Sequence, residues 1–206
     1  GLLVKEVDDD VDIAYYTSID NLFLMLPCKA KKKEYIGKLA IMNISYMNDP
    51  NEGKTLQKFL YGKEIERTRG KRRDVRVPYV FLKCFTTQID YLPMWEMYAD
   101  HAEGCCIVIN WNKIRQYNTE KSVPLYRVLY LTENSGEYAI TRTKNPHIKE
   151  FTRVKQYLNV LKDNAVLIST RKEALNIFGK LLSDIIYLFK DSSYSYEQEM
   201  RIIYSY

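Results

Sequence analysis

Glu197, Glu199 and Arg201 stand at alternate positions in the closing stretch YSYEQEMRIIYSY, Tyr194 to Tyr206. In a β-strand, residues two apart share a face, so the spacing predicts these three charges together, with Gln198, Met200 and Ile202 on the other side. Two neighbouring carboxylates repel, and the guanidinium beside them holds at least one ionised. Such a group suits stabilisation of a developing positive charge. The competing reading is a solvated edge strand, in which the arginine pairs one carboxylate for little net stability.

Further candidates lie upstream. Asn48-Asp49-Pro50 is first of all a turn, since Asn and Asp bond back to their own backbone and proline fixes φ. Glu52 follows it, placed to cap the next helix or to enter a cleft, so Asn48, Asp49 and Glu52 form a second rank of candidates. Trp95 and Tyr98 share a predicted helix with Leu92, where they serve either as core or as aromatic walls for a flat ring. His101 closes that helix, as an acid or base or as a C-terminal cation favoured by the helix dipole. The basic run from Gly62 to Val77 holds Arg67, Arg69, Lys71, Arg72, Arg73 and Arg76, a solvated loop or a salt-dependent phosphate-binding segment. Cys28, Cys84, Cys105 and Cys106 lack C-x-x-C spacing, so neither a zinc site nor a disulfide framework is expected and no metal ligands are assigned. A magnesium-dependent nuclease, with the acidic pair as metal ligands, is a weaker reading because no Asp/Glu-x-Lys strand accompanies it.

The elements that must position these residues follow from periodicity. Asp12–Ile19 and Lys38–Ser45 read as strands, Ser18–Leu26 as a short helix capped by Ser18 or Asp20, and Lys54–Leu60 as the start of another. Tyr79–Thr86 and Cys105–Asn110 are apolar runs of strand length, and Asp90–Gly104 between them is helical. Pro124–Leu131 reads as one strand. Between about 146 and 191 the period becomes helical: Phe151, Val154, Tyr157, Leu158 and Leu161 mark one helix, and Ala174 to Ile186 a second. Strands first, helices late and a returning strand predict a single α+β domain over residues 1–206, with a central mixed or antiparallel sheet and flanking helices.

Composition bounds the class. The chain has 206 residues, is 46% hydrophobic and 28% charged, and carries a net charge of +5, which is ordinary for a globular protein and excludes wholesale disorder. No apolar run reaches membrane-spanning length and no cleavable signal opens the chain, so a cytoplasmic protein with no membrane partner is expected. It begins with Gly1 rather than Met, which suggests either a cloning scar or a piece cut from a longer protein with a domain upstream.

The segments YYTSIDNL, YMNDPNEG, CFTTQIDYLPMWEMYADHAEGCCIVI and FKDSSYSYEQEMRIIY occur in an order that resembles the bacterial family known as domain of unknown function 2971. That family's pattern is His-Tyr-Thr-Ser, Asn-Asp-Pro-x-Glu, Trp-x-x-Tyr-Ala and Glu-x-Glu-x-Arg, and the match runs from about Tyr15 to Tyr204, with Tyr15 where the family has His. A fainter resemblance is to ADP-ribosyltransferases, in which a first-strand residue grips NAD, a Ser/Thr-rich strand end supports the pocket and a late glutamate is catalytic. This resemblance implies an ADP-ribosyltransferase-like fold with NAD as substrate, Glu199 and Glu197 as catalytic carboxylates, and Tyr15, Tyr16, Thr17, Thr86, Thr87, Trp95, Tyr98 and Arg201 around the dinucleotide. It implies transfer to a protein or nucleic-acid acceptor, or hydrolysis, and a role in defence against phage. The alternative expectation is a non-catalytic nucleotide or nucleic-acid binding module using the basic segment 62–77.

Overall fold

The computed structural model describes residues 11–26, 29–30, 33–34, 39–47, 49, 51–62, 80–117, 124–134, 137–140, 148–169, 182 and 185–205. Along the chain these form β1 (Asp12–Thr17), α1 (Ile19–Met25), β2 (Lys29–Ala30), β3 (Lys33–Glu34), β4 (Met42–Asn43), α2 (Thr55–Tyr61), β5 (Val80–Thr86), α3 (Leu92–Tyr98), β6 (Cys105–Asn110), α4 (Trp111–Tyr117), β7 (Leu125–Arg127), β8 (Leu129–Asn134), β9 (Glu137–Ile140), α5 (Ile148–Ser169), β10 (Phe189–Asp191) and β11 (Glu199–Ser205). The basic segment, beyond Gly62, lies outside the described residues, as does most of the second predicted helix between 174 and 186.

A six-stranded antiparallel sheet carries the order β6-β1-β5-β11-β7, with β4 paired to β5 beside β1. A second sheet, β10-β8-β9, is mixed, since β10 and β8 run parallel. The architecture is therefore α+β, with helices and an antiparallel main sheet.

Register sorts the residues into two faces. Thr86 stands opposite both Ala14 and Glu199, Cys84 opposite Arg201, and Tyr16 opposite Cys106, so these side chains share one face. The other face holds Ile13, Phe85, Leu125, Met200 and Ile202, closed by Trp111 at the start of α4.

The first face carries two apolar clusters. In one, Val80 and Leu82 of β5 pack with Leu56, Phe59 and Leu60 of α2, Leu158 and Ala165 of α5, and the stretch Ile186–Phe189. In the other, Ala14 and Tyr16 pack with Met94 and Ala99, flanked by Tyr91, Trp95, Tyr98 and Tyr196. The charged residues of β11 lie along the face between them.

Local sequence explains several ends. Ser18 caps α1, its Oγ accepting from the Asn21 amide at 3.3 Å. Gly62 ends α2 in the left-handed conformation, φ 67°. Gly104 must be glycine for another reason: a Cβ there would lie 2.2 Å from the Thr17 carbonyl oxygen and 2.8 Å from that of Ala99. This close approach lets α3 turn straight into β6.

Three expected strands are corrected. Lys38–Ser45 is reduced to Met42–Asn43, followed by a 3-10 turn at Ile44–Tyr46 whose Asn43 side chain accepts from the Ser45 amide. Pro124–Leu131 is two strands, because the chain breaks at Val128, whose amide bonds the Glu199 carbonyl, and β8 then joins the other sheet. The closing strand starts only at Glu199, since Ser192–Glu197 is a 3-10 helix and Gln198 is left-handed at φ 43°.

Candidate functional site: a buried carboxylate network

Glu199 and Arg201 share a face of β11 as the alternation requires, and they form a two-point ion pair, Nε to Oε1 at 2.7 Å and Nη2 to Oε2 at 3.0 Å. Glu197 is not on the strand. It reaches the same place from the end of the 3-10 helix, because the left-handed Gln198 turns the chain between them.

Lys190, from β10, joins the two carboxylates. Its Nζ donates to Glu197 Oε2 at 2.6 Å and to Glu199 Oε2 at 3.3 Å. The second oxygen of Glu197 accepts from the Tyr98 hydroxyl at 2.6 Å. Arg201 turns its other edge to Glu52, with Nη1 and Nη2 at 2.5 and 2.9 Å from the two carboxylate oxygens, and also donates to the Tyr187 carbonyl. Every guanidinium nitrogen is therefore engaged, and the side chain is fully buried.

Burial of so many charges is costly unless each is paired. Here three glutamates face two cations. Burial opposes ionisation of Glu199, but Arg201 and Lys190 outweigh it and hold the carboxyl at about 2. Burial likewise disfavours the Lys190 ammonium, and the two glutamates more than compensate, raising it. Glu52 goes the other way: burial raises it from the ordinary glutamate value in spite of Arg201. Burial and the bond to Glu197 push the Tyr98 phenol up, so it remains a donor.

The backbone around the pair is fixed from β8 and from the end of β5. The Glu199 amide donates to the Tyr130 hydroxyl at 2.9 Å. Thr86 donates its hydroxyl to the Glu197 carbonyl and accepts from the Gln88 amide at 2.9 Å. Thr87 bonds Gln198 from its amide to the carbonyl at 3.2 Å and from its hydroxyl to Oε1 at 3.1 Å and, more weakly, to the carbonyl at 3.5 Å. The two threonines thus hold the Glu-x-Glu corner.

Tyr16 lies on the network's face, donating to the Gln88 carbonyl at 2.9 Å and accepting from the Tyr91 amide at 3.1 Å. Its ring meets Trp95 edge to face at 5.3 Å, and Trp95 Nε1 donates to Asp90 at 3.0 Å. Tyr15 and Thr17 point to the opposite face. There the Lys83 ammonium sits 3.5 Å from the Tyr15 ring centre, and Thr17 accepts from Asn21 at 3.1 Å.

His101 is exposed and bonds Glu96 at 3.0 Å, a contact that raises its basicity. With Asp100 and Ala102 it forms a run of three left-handed residues, φ 52°, 54° and 68°, and no hydrogen bond among the described residues joins it to Glu197, Glu199 or Glu52. Asp49 is buried in the turn that carries Glu52, whose amide donates to the Asp49 carbonyl, and Asn48 lies outside the described residues.

Two participants escaped the sequence reading. Lys190 ends the apolar run IIYLFK, where a lone lysine before a strand end was the available signal, and Tyr130 is one aromatic among many. Among the described residues no three His, Cys, Asp or Glu side chains are grouped to hold a metal ion, and no helix is long and apolar enough to cross a membrane. Cations occupy the spaces between these carboxylates.

The profile of the family described as "Protein of unknown function (DUF2971)" matches residues 94–202, a span from α3 through the Glu-x-Glu corner into β11. No curated protein and no solved structure matches the chain.

Proposed function

The chain belongs to the DUF2971 family, whose description assigns no activity, and we propose that it is an NAD-consuming enzyme of ADP-ribosyltransferase-like fold, with the Glu197/Glu199 corner at its reacting centre. One observation carries the reading. Two buried carboxylates share Lys190 and, with Glu52, outnumber the cations that hold them, while Glu197 bonds Tyr98 at the edge of the aromatic cluster.

The chemistry requires a fixed negative charge and no free acid. In cleavage of NAD the bond between ribose C1′ and the nicotinamide nitrogen breaks, its electron pair passes to that nitrogen, and the ribose acquires oxocarbenium character. A preorganised carboxylate lowers the cost of this charge without reorganising. Arg201 engages both oxygens of Glu199, which makes Glu199 the fixed anion of the corner. Each oxygen of Glu197 has one donor, from Tyr98 or Lys190, so Glu197 is the carboxylate able to turn towards ribose or acceptor. The half-buried rings of Tyr91, Trp95 and Tyr98 are suited to cover a flat nicotinamide. Water or an acceptor nucleophile then bonds to C1′ and releases its proton to solvent.

The test is nicotinamide release from NAD by the purified chain, alone and with cell lysate as a source of acceptor. Release above the uncatalysed rate, lost in the Glu197→Gln variant, is the expected result. Absence of both release and NAD binding overturns the proposal.

A further inference from the structure

Asp49 carries a buried oxygen that no group among the described residues engages. The residue is 9% exposed; its Oδ1 accepts from the Asn51 amide at 2.8 Å, and its Oδ2 has no hydrogen-bond partner among the described residues. Buried acceptors left unmade are costly and rare, and each asks for a reason. The turn supplies none. Oδ1 alone closes it, and asparagine or serine would make the same bond without burying a second carboxylate oxygen.

Position supplies a reason instead. The Glu52 amide donates to the Asp49 carbonyl at 3.1 Å, so one turn carries both residues, and Glu52 is locked to Arg201. Burial, and after it the Asp49 charge, push up the Tyr194 phenol, whose ring stands 4.5 Å from the Lys190 ammonium. Asp49 therefore borders the network, yet Lys190 and Arg201 are committed to the three glutamates.

We propose that Asp49 is a ligand-binding residue of this site, with Oδ2 accepting a hydrogen bond from a ribose hydroxyl of the bound nucleotide. Carboxylates take ribose hydroxyls in other nucleotide sites for the same reason: a fixed acceptor-only group suits a hydroxyl donor. The inference rests on the NAD reading above and adds the residue that grips the sugar.

The experiment measures binding of ADP-ribose and of NAD to the full chain by calorimetry, for the wild type, Asp49→Asn and Asp49→Ser. Asparagine keeps the Oδ1 bond and replaces the free acceptor by a donor; serine keeps the turn and removes the oxygen. Both variants should bind ADP-ribose at least about tenfold more weakly, with melting temperatures equal to or above that of the wild type. Wild-type binding matched by either folded variant overturns the assignment of Asp49 and leaves the NAD reading standing, the buried oxygen then holding water only. A wild type that binds neither compound and releases no nicotinamide overturns both.

Discussion

The guanidinium of Arg201 and the carboxylate of Glu52, 149 positions apart in the chain, meet through two hydrogen bonds of 2.5 and 2.9 Å. This contact ties the turn before α2 to the last strand and fixes the arginine that holds Glu199. Replacing Arg201 by Met leaves Glu52 buried without its cation and Glu199 with Lys190 alone, a loss expected to cost about 3–5 kcal/mol. Arg201→Lys should cost nearly as much, because an ammonium cannot serve both carboxylates in two-point fashion. Chemical denaturation of the two variants checks this.

Acid should act on the network in two opposed ways. Glu199 is held at about 2, below its unfolded value, so its stabilisation is present above the unfolded carboxylate pKa and is lost as pH falls towards 2. Glu52 is raised, so its contribution is present below the unfolded value and is lost as pH rises through its folded pKa. Stability measured from pH 2 to pH 7 should therefore rise steeply at first and then flatten. In Glu199→Gln the steep lower limb should shrink.

Tyr98 and Tyr15 separate the two faces of the sheet. Tyr98→Phe removes the donor to Glu197, at a stability cost of about 1.5–3 kcal/mol, and should slow nicotinamide release. Tyr15→Phe keeps the ring beneath Lys83 on the opposite face, and should leave release unchanged and stability within about 0.5 kcal/mol. Equal loss of activity in both would contradict the placement of the site.

Gly104→Ala should be among the most damaging small substitutions. The added methyl meets two backbone carbonyls, of Thr17 and Ala99, which cannot rotate away as a side chain would. A cost of about 3 kcal/mol or more is expected from thermal and denaturant unfolding.

Much of this fold is legible where period and burial agree. The run Tyr79–Thr86 is β5 but for its first residue, which lies outside the described residues, Cys105–Asn110 is β6, and the helical pattern through Val154, Leu158 and Leu161 lies in α5. Legibility fails where tertiary contacts redirect an apolar run. Leu125 to Leu131 reads as one strand, yet the bond from Val128 to Glu199 sends its halves into different sheets. The site shows the same limit. Alternation correctly joins Glu199 to Arg201, whereas Glu197 arrives by a left-handed turn at Gln198, a residue type with no special tendency to adopt it. Lys190 offers only the weak signal of a lone lysine ending an apolar run, because it is the parallel pairing of β10 with β8 that brings it to both carboxylates.

The central claim is that the Glu-x-Glu corner stabilises positive charge on the ribose of NAD. It is tested most directly by the rate of nicotinamide release from wild type, Glu197→Gln and Glu199→Gln, each first shown to be folded. The account predicts release by the wild type and a fall of about 10²–10³-fold in each variant; release undiminished in both folded variants, or none from the wild type, would contradict it.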